Sequence, residues 1–318
     1  MIVRKHLRWH RILFRCKGFL SYIVILVAIV LWLHELDPAT EPGQTLKPLL
    51  IHIPLPLVAM LATTIALFLA FRNNSAYDRW WEARKIWGGI VNISRTIGRQ
   101  ATSFTNLSER PADEVAEFQR ELVYRHLAWI NALRIQLRDH SNWDDIRPFV
   151  SDSEFDWLMQ RQNKATQLAQ KQGQRLSDAM QSGLLTDSRY HEQLDTSLTE
   201  LYDLQGKCER IKNTPLPRQY DYFPRVFLFL FVTLLPSGMV TELEKVDCTW
   251  LVIPLATCVS FMFYVLMRVG EFNEDPFEGR ITDTPMSSLC RTIEIDLREQ
   301  LGETELPTKL EPADGILM

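Results

Sequence analysis

The chain carries seven histidines and five cysteines, the residues best able to hold a metal or attack a substrate, and their spacing supports neither role. His6 and His10 lie in a basic N-terminal segment and share no cluster with His126, His140 or His191. Cys16, Cys208, Cys248, Cys258 and Cys290 are too scattered for a disulfide framework or a zinc ribbon. There is no HExxH, GxSxG, phosphate-cradling glycine loop or calcium-loop pattern. No catalytic constellation results, and the expectation is a protein that is not an enzyme. What does recur at a useful spacing is Thr63, Leu67 and Phe71, every fourth residue, beside the small-residue stripe Ala62, Ala66 and Ala70. Small residues at that period let helices approach closely in lipid. Apolar side chains ringed around an axis can gate ions by dewetting. Ordinary intramembrane packing is the competing reading of the same spacing. Four spans can hardly enclose a pore, so the pore reading requires an oligomer.

The elements that would position these residues are four uncharged apolar runs: Gly18 to Leu33, Pro48 to Phe71, Val226 to Thr241 and Cys248 to Met267. A helix needs about 20 apolar residues to cross a bilayer, with roughly 17 as the lower limit. The second and fourth runs meet that outright, and the first and third reach it with flanking aromatics and snorkelling basic side chains. Tyr22, Trp32, Trp80, Trp81, Trp250 and Tyr264 mark their ends. A mean hydropathy of −0.10 hides this, because it averages two kinds of sequence. The net charge of −4 offers no electrostatic footprint for nucleic acid. No small-residue cleavage site follows Trp32, so the first run reads as a retained helix rather than a signal peptide.

Basic residues concentrate before the first run (Arg4, Lys5, Arg8, Arg11, Arg15, Lys17) and after the second (Arg72, Arg79, Arg84, Lys85). The connections between paired runs hold only Lys47 and Lys245, against several acids. The positive-inside rule then puts both termini of a multi-pass membrane protein in the cytoplasm. The expected domains are a basic N-terminal segment (1–17), a transmembrane hairpin (18–71), a helical cytoplasmic block (72–225), a second hairpin (226–267) and a cytoplasmic tail (268–318). Within the block, Val115, Phe118, Leu122, Trp129, Leu133 and Leu137 follow the helical period, with Ser108 and Pro111 as start signals. Ser151 or Ser153 predicts a helix running through Trp157 and Leu158 to Leu168, Leu176 and Met180. A third stripe, Leu194, Leu198, Leu201, Cys208 and Ile211, stops at Thr214-Pro215-Leu216-Pro217. Little or no sheet is expected. The tail predicts one short helix near Ser287 to Gln300 and an extended end.

The stretch Phe68 to Arg84 closely resembles the second helix of bestrophins, the bacterial branch above all. The likeness is carried by Phe71-Arg72-Asn73-Asn74, Tyr77, Arg79, Glu82-Ala83-Arg84 and Trp87-Gly88. Cys208-Glu209-Arg210-Ile211 with Thr214-Pro215, then Asp275-Pro276-Phe277, then Cys290 to Asp296 extend it to about residue 310. The resemblance implies an all-α membrane protein with four transmembrane helices per subunit, assembled as a homopentamer around one pore. It implies a narrow neck of three ringed residues, which register onto Thr63, Leu67 and Phe71. The family's neck is apolar throughout, so Thr63 departs from it.

The resemblance also implies a second constriction, the cytoplasmic aperture, formed by an apolar residue. Counted back from Cys208 without a gap it falls on Glu192, and a small gap would substitute Tyr190 or Leu194. Five carboxylates around one axis would attract cations and repel chloride, while a solvated Glu on a helix face is the alternative. Vertebrate bestrophins bind calcium on an acidic cluster that follows the tail's Pro-Phe-Gly. Here only Glu278 and Asp283 stand in that segment, too few for a cage of six to eight oxygens. The resemblance to the bacterial branch implies a channel for monovalent cations, with which the acidic reading of Glu192 agrees. The expectation is such a channel with no cofactor and no calcium clasp, whose partners are its own copies, the bilayer and permeant ions. The alternatives are a chloride channel of the same architecture or a non-conducting scaffold.

Overall fold

Long apolar and amphipathic periods, few glycine turns and no β-branched alternation leave the chain little to form but helix. The structure, a computed structural model, describes residues 1–3, 14, 16–37, 39–46, 53–105, 110–185 and 187–317. Its α-helices are α1 (Lys17–Glu35), α2 (Glu41–Leu46), α3 (Leu55–Ser103), α4 (Ala112–Leu137), α5 (Asp152–Met159), α6 (Lys164–Ser182), α7 (Ser188–Asn213), α8 (Gln219–Glu244), α9 (Val252–Asn273) and α10 (Met286–Gln300). Short 3-10 turns cover Trp143–Phe149 and Thr249–Leu251. Among the described residues the only β pairing is isolated bridges, as an all-α chain requires. His6, His10, Lys47, His52, Ser108 and the basic residues from Arg4 to Arg15 lie outside the described residues.

The chain divides into two units: Lys5–Asp78 with Leu216–Glu274, and Met1–Arg4 with Arg79–Pro215 and Asp275–Met318. The first holds α1, α2, the start of α3, α8 and α9. Four helices among the described residues are long and apolar enough to cross a membrane: α1, α3, α8, and α9 with its preceding turn. At 1.5 Å per residue, the 19 residues of α1 reach about 28 Å, close to a hydrocarbon core. Ile23, Val27, Ile65, Leu69, Leu228, Val232, Val252 and Ala256 form the shared core of this unit. Phe19 stacks on Tyr264 with ring centroids 4.0 Å apart. Helix α8 begins at Gln219, seven residues before the uncharged run, and continues through Pro224 and Pro236. Prolines that would break a helix in water are tolerated in membrane helices whose surroundings satisfy the freed backbone groups.

The second unit packs the rest of α3, α4, α5, α6, α7 and α10. Helix α4 is its centre, meeting α6, α7, α10 and the 3-10 turn, with Val115, Phe118, Leu122, Trp129, Leu133 and Leu137 all buried as the period predicts. Helix α3 reaches α10 closely at Gly98, where a Cβ would lie 2.5 Å from Leu297 Cδ2. The helix expected from Ser151 to Met180 is in fact two. Ser151 Oγ accepts the Glu154 N–H at 3.3 Å and starts α5, and Asn163 Oδ1 accepts the Thr166 N–H at 3.0 Å and starts α6. A second capping side chain offers the backbone an alternative to continuing, and amphipathic spacing does not register it. Helix α6 ends on Gly183 at φ +75°, the left-handed cap glycine favours. Helix α7 begins on Asp187, which accepts the Arg189 N–H at 2.9 Å, and ends before Thr214-Pro215 as expected.

Candidate functional site: one face of α3 and a carboxylate on α7

Successive helix residues turn by about 100°, so α3 has distinct faces. Val58, Ile65, Leu69, Arg72 and Ala76 are buried, and on a helical wheel they fall within about 60° of arc. Thr63, Leu67 and Phe71 lie on the opposite side and are exposed, Leu67 at 57% and Phe71 at 62%. The alanine stripe is not this subunit's packing face. Ala62 is half-buried against the core, whereas Ala66 and Ala70 are exposed beside Thr63, Leu67 and Phe71. Larger side chains one step round the wheel fill the intrachain contact and leave the alanines open. Leu67 and Phe71, with Phe68, Ser75 and Tyr220, line an open cavity of about 440 Å³.

Thr63 is less polar than its type suggests. Its hydroxyl donates to the Ala59 carbonyl at 2.9 Å, and Thr64 does the same to Met60 at 3.0 Å. With its proton held inside the helix, Thr63 turns outward a methyl group and an oxygen that only accepts.

Arg72 is the functional-looking residue that sequence reasoning missed. It ends an apolar run and counts, by position, as a topology signal, yet only 2% of it is exposed. Its Nη2 meets Asp221 Oδ1 at 2.6 Å and Glu274 Oε2 at 3.2 Å, and its Nη1 donates to the Met267 carbonyl at 3.3 Å. The signal available was the acid pair at 221 and 274, beyond the reach of any local pattern.

Glu192 sits on an exposed position of α7 and forms no ion pair among the described residues. The two residues a gap would substitute are both packed. Tyr190 stacks on Phe104 at 4.4 Å between centroids, and Leu194 is buried in the core. The far end of the same helix is held by α3. Arg79 donates to the Ile211 and Thr214 carbonyls at 2.7 and 2.6 Å, and Glu82 pairs with Arg210 at 2.6 Å. A guanidinium there satisfies carbonyls that a helix end leaves unpaired.

In the tail, Glu278 pairs with Lys212 at 2.8 Å. Asp283 is buried and accepts the Arg280 N–H at 2.9 Å, and burial raises its carboxyl above the usual range. The Cys290 thiol is pushed up to about 12 by burial, and the Cys208 thiol is raised for the same reason. Neither is a thiolate nucleophile. Among the described residues no three His, Cys, Asp or Glu side chains group as metal ligands.

The sequence profile of the bacterial and fungal bestrophins matches residues 1–299. The chain belongs to that family. It is 32% identical over 305 residues to a voltage-dependent anion channel-forming protein of Mesorhizobium japonicum, covering 96% of this chain and 89% of that one. It is 28% identical to a protein of the same description from Salmonella typhi, over 98% of both chains. The crystal structure of a bacterial bestrophin homologue from Klebsiella pneumoniae matches with a TM-score of 0.78 and 26% identity, over 90% of this chain and 98% of that one. The all-helical fold with four apolar helices is thus shared with a channel-forming family, which is not a family of enzymes.

Proposed function

We propose that this protein is a homopentameric ion channel of the bacterial inner membrane, with Thr63, Leu67 and Phe71 of each subunit ringing an apolar neck. The observation that carries this is the orientation of α3. In a chain of a channel-forming family, the face opposite the subunit's own core presents large apolar side chains in a row. Lipid or further copies must cover them, and copies turned face to face make a ring. The positive-inside pattern supports cytoplasmic termini and a cytoplasmic block flanked by two transmembrane hairpins.

Glu192 supports cation conduction through an acidic aperture, since it is exposed, carries no ion-pair partner among the described residues, and is flanked by alternatives that are packed. A specific observation favours a second reading: the relatives' descriptions name anion channels. In the tail, Lys212 already neutralises Glu278 and Asp283 is turned inward, which supports gating without a calcium clasp. Reversal potentials of the purified protein in a planar bilayer, under a potassium chloride gradient, separate the readings. The expected result is a potential of cation sign, weakened in Glu192→Ala. Chloride sign moves the protein to the anion reading. Cation sign with an unchanged mutant retains the channel and removes Glu192 from the pore.

A further inference from the structure

We infer that Arg72, with Asn73 and Gly270, is a clamp that sets the rotation of α3 and thereby the width of the neck; this rests on the neck assigned above. Arg72 directly follows Phe71 in sequence but lies on the buried face with Ile65, Leu69 and Ala76. About 100° of helix turn separates the two side chains. Whatever holds Arg72 therefore determines where Phe71, and Leu67 one turn before it, can point.

The hold comes from two other helices. Asp221 belongs to the first turn of α8, whereas Met267 lies in α9 and Glu274 is the residue that caps it. The planar guanidinium meets all three acceptors at once, a geometry that the single ammonium of lysine cannot copy. Asn73 adds a fourth tie, donating from Nδ2 to the Leu266 carbonyl at 3.0 Å. Two successive residues of α3 thus grip two successive carbonyls of α9.

The approach needs a glycine. A Cβ at Gly270 would sit 2.3 Å from Asn73 Oδ1 and 3.6 Å from Arg72 Nη1. The grip continues outward as alternating charge: Asp221 also accepts from Arg225 at 2.9 Å, Arg225 reaches Glu271 at 2.9 Å, and Glu271 pairs with Arg268. Three arginines and three acids alternate across α3, α8 and α9. A buried charge with several charge-assisted bonds resists sliding, because each displacement would leave it unpaired in a medium that penalises that heavily. Apolar contacts such as Ile65 and Leu69 resist rotation far less, since they are not directional.

The test is single-channel recording of the purified full-length protein in planar bilayers, with oligomer mass and melting temperature measured alongside. Arg72→Gln, Gly270→Ala and Leu67→Ala are compared with the parent. Gly270→Ala keeps every charge and dislodges only Asn73, so it covers the case in which Arg72→Gln does not fold. The clamp predicts that Gly270→Ala changes unitary conductance at least about twofold with oligomer mass unchanged, and that Arg72→Gln, where it assembles, does the same. If Leu67→Ala alters conductance while both clamp variants match the parent, the neck stands and Arg72 serves stability alone. If Leu67→Ala also matches the parent, the neck assignment fails and the clamp falls with it.

Discussion

The two units of this chain are both built of helices and obey opposite rules about what is hidden. In the unit of α4 to α7 and α10, the interior holds a nearly complete apolar core threaded with satisfied polar groups. His126 meets Ser94 at 2.9 Å, Trp129 donates to Gln205 at 3.2 Å, and Ser197 donates to Gln100 at 2.9 Å. In the apolar unit the large side chains Ile25, Ile29, Trp32, Met60, Leu67, Phe71 and Met262 are exposed, while a charge, Arg72, is inside. Water favours the first arrangement, since burying an unpaired polar group is costly, and the fully buried Trp87 Nε1, with no hydrogen bond among the described residues, is an exception to it. The second needs a solvent as apolar as the side chains, and partners for the face of α3. One chain completes the first core and leaves the second open.

The sharpest way to break this contrast is to remove a buried pair from the polar interior. Arg125 forks onto Glu154 at 3.0 and 3.1 Å, and both are largely buried. Glu154→Ala removes two of that arginine's hydrogen bonds and leaves it Glu121 at 2.8 Å and Gln172 at 3.4 Å, so it is expected to cost about 3 kcal/mol, read as a clear drop in melting temperature in detergent. A small drop would mean that water reaches this interior.

Acid offers the next largest effect. Burial lowers the His126 imidazole from 6.5 to about 3. Between those values the unfolded chain binds a proton that the folded chain refuses, so stability falls as pH drops below about 6.5 and loses about 2 kcal/mol by pH 5. His126→Gln should flatten this slope, and an unchanged slope in the variant would assign it to other groups. Ser151→Ala removes the cap of α5 and should cost about 1 kcal/mol, measurable as a modest shift in the denaturation midpoint.

The smallest stability effect carries the largest functional one. Leu67→Ala, on the face its own chain leaves open, should change subunit stability by no more than about 0.5 kcal/mol while altering unitary conductance. A variant that loses stability and keeps its conductance would reverse the contrast between the units.

Periodicity and composition announced much of this. Uncharged run length identified the four helices long and apolar enough to cross a membrane, because the bilayer sets a length that composition must meet. The stripe on α4 and the proline stop after α7 were readable for similar local reasons, one from the 3.6-residue period and one from backbone chemistry. The neck candidates were singled out by four-residue spacing, although that spacing equally suited the alanines beside them. Which stripe faces the core depends on how well each shape fits α8 and α9, and the larger Ile65 and Leu69 took that place. The break between α5 and α6 turned on Asn163 finding Gln136, Gln205 and Glu209 around it.

Arg72 shows the boundary most clearly. Its charge and its position after an apolar run are local facts, and local facts mark it as a residue for the membrane surface. That it is buried follows from acids 149 and 202 positions further along the chain. Spans, orientation signals and helix periods are properties of neighbouring residues, so the order of amino acids alone decided them. The inward charge, the open face of α3 and the contrast between the two interiors depend on contacts between distant segments, and only the folded chain brings those together.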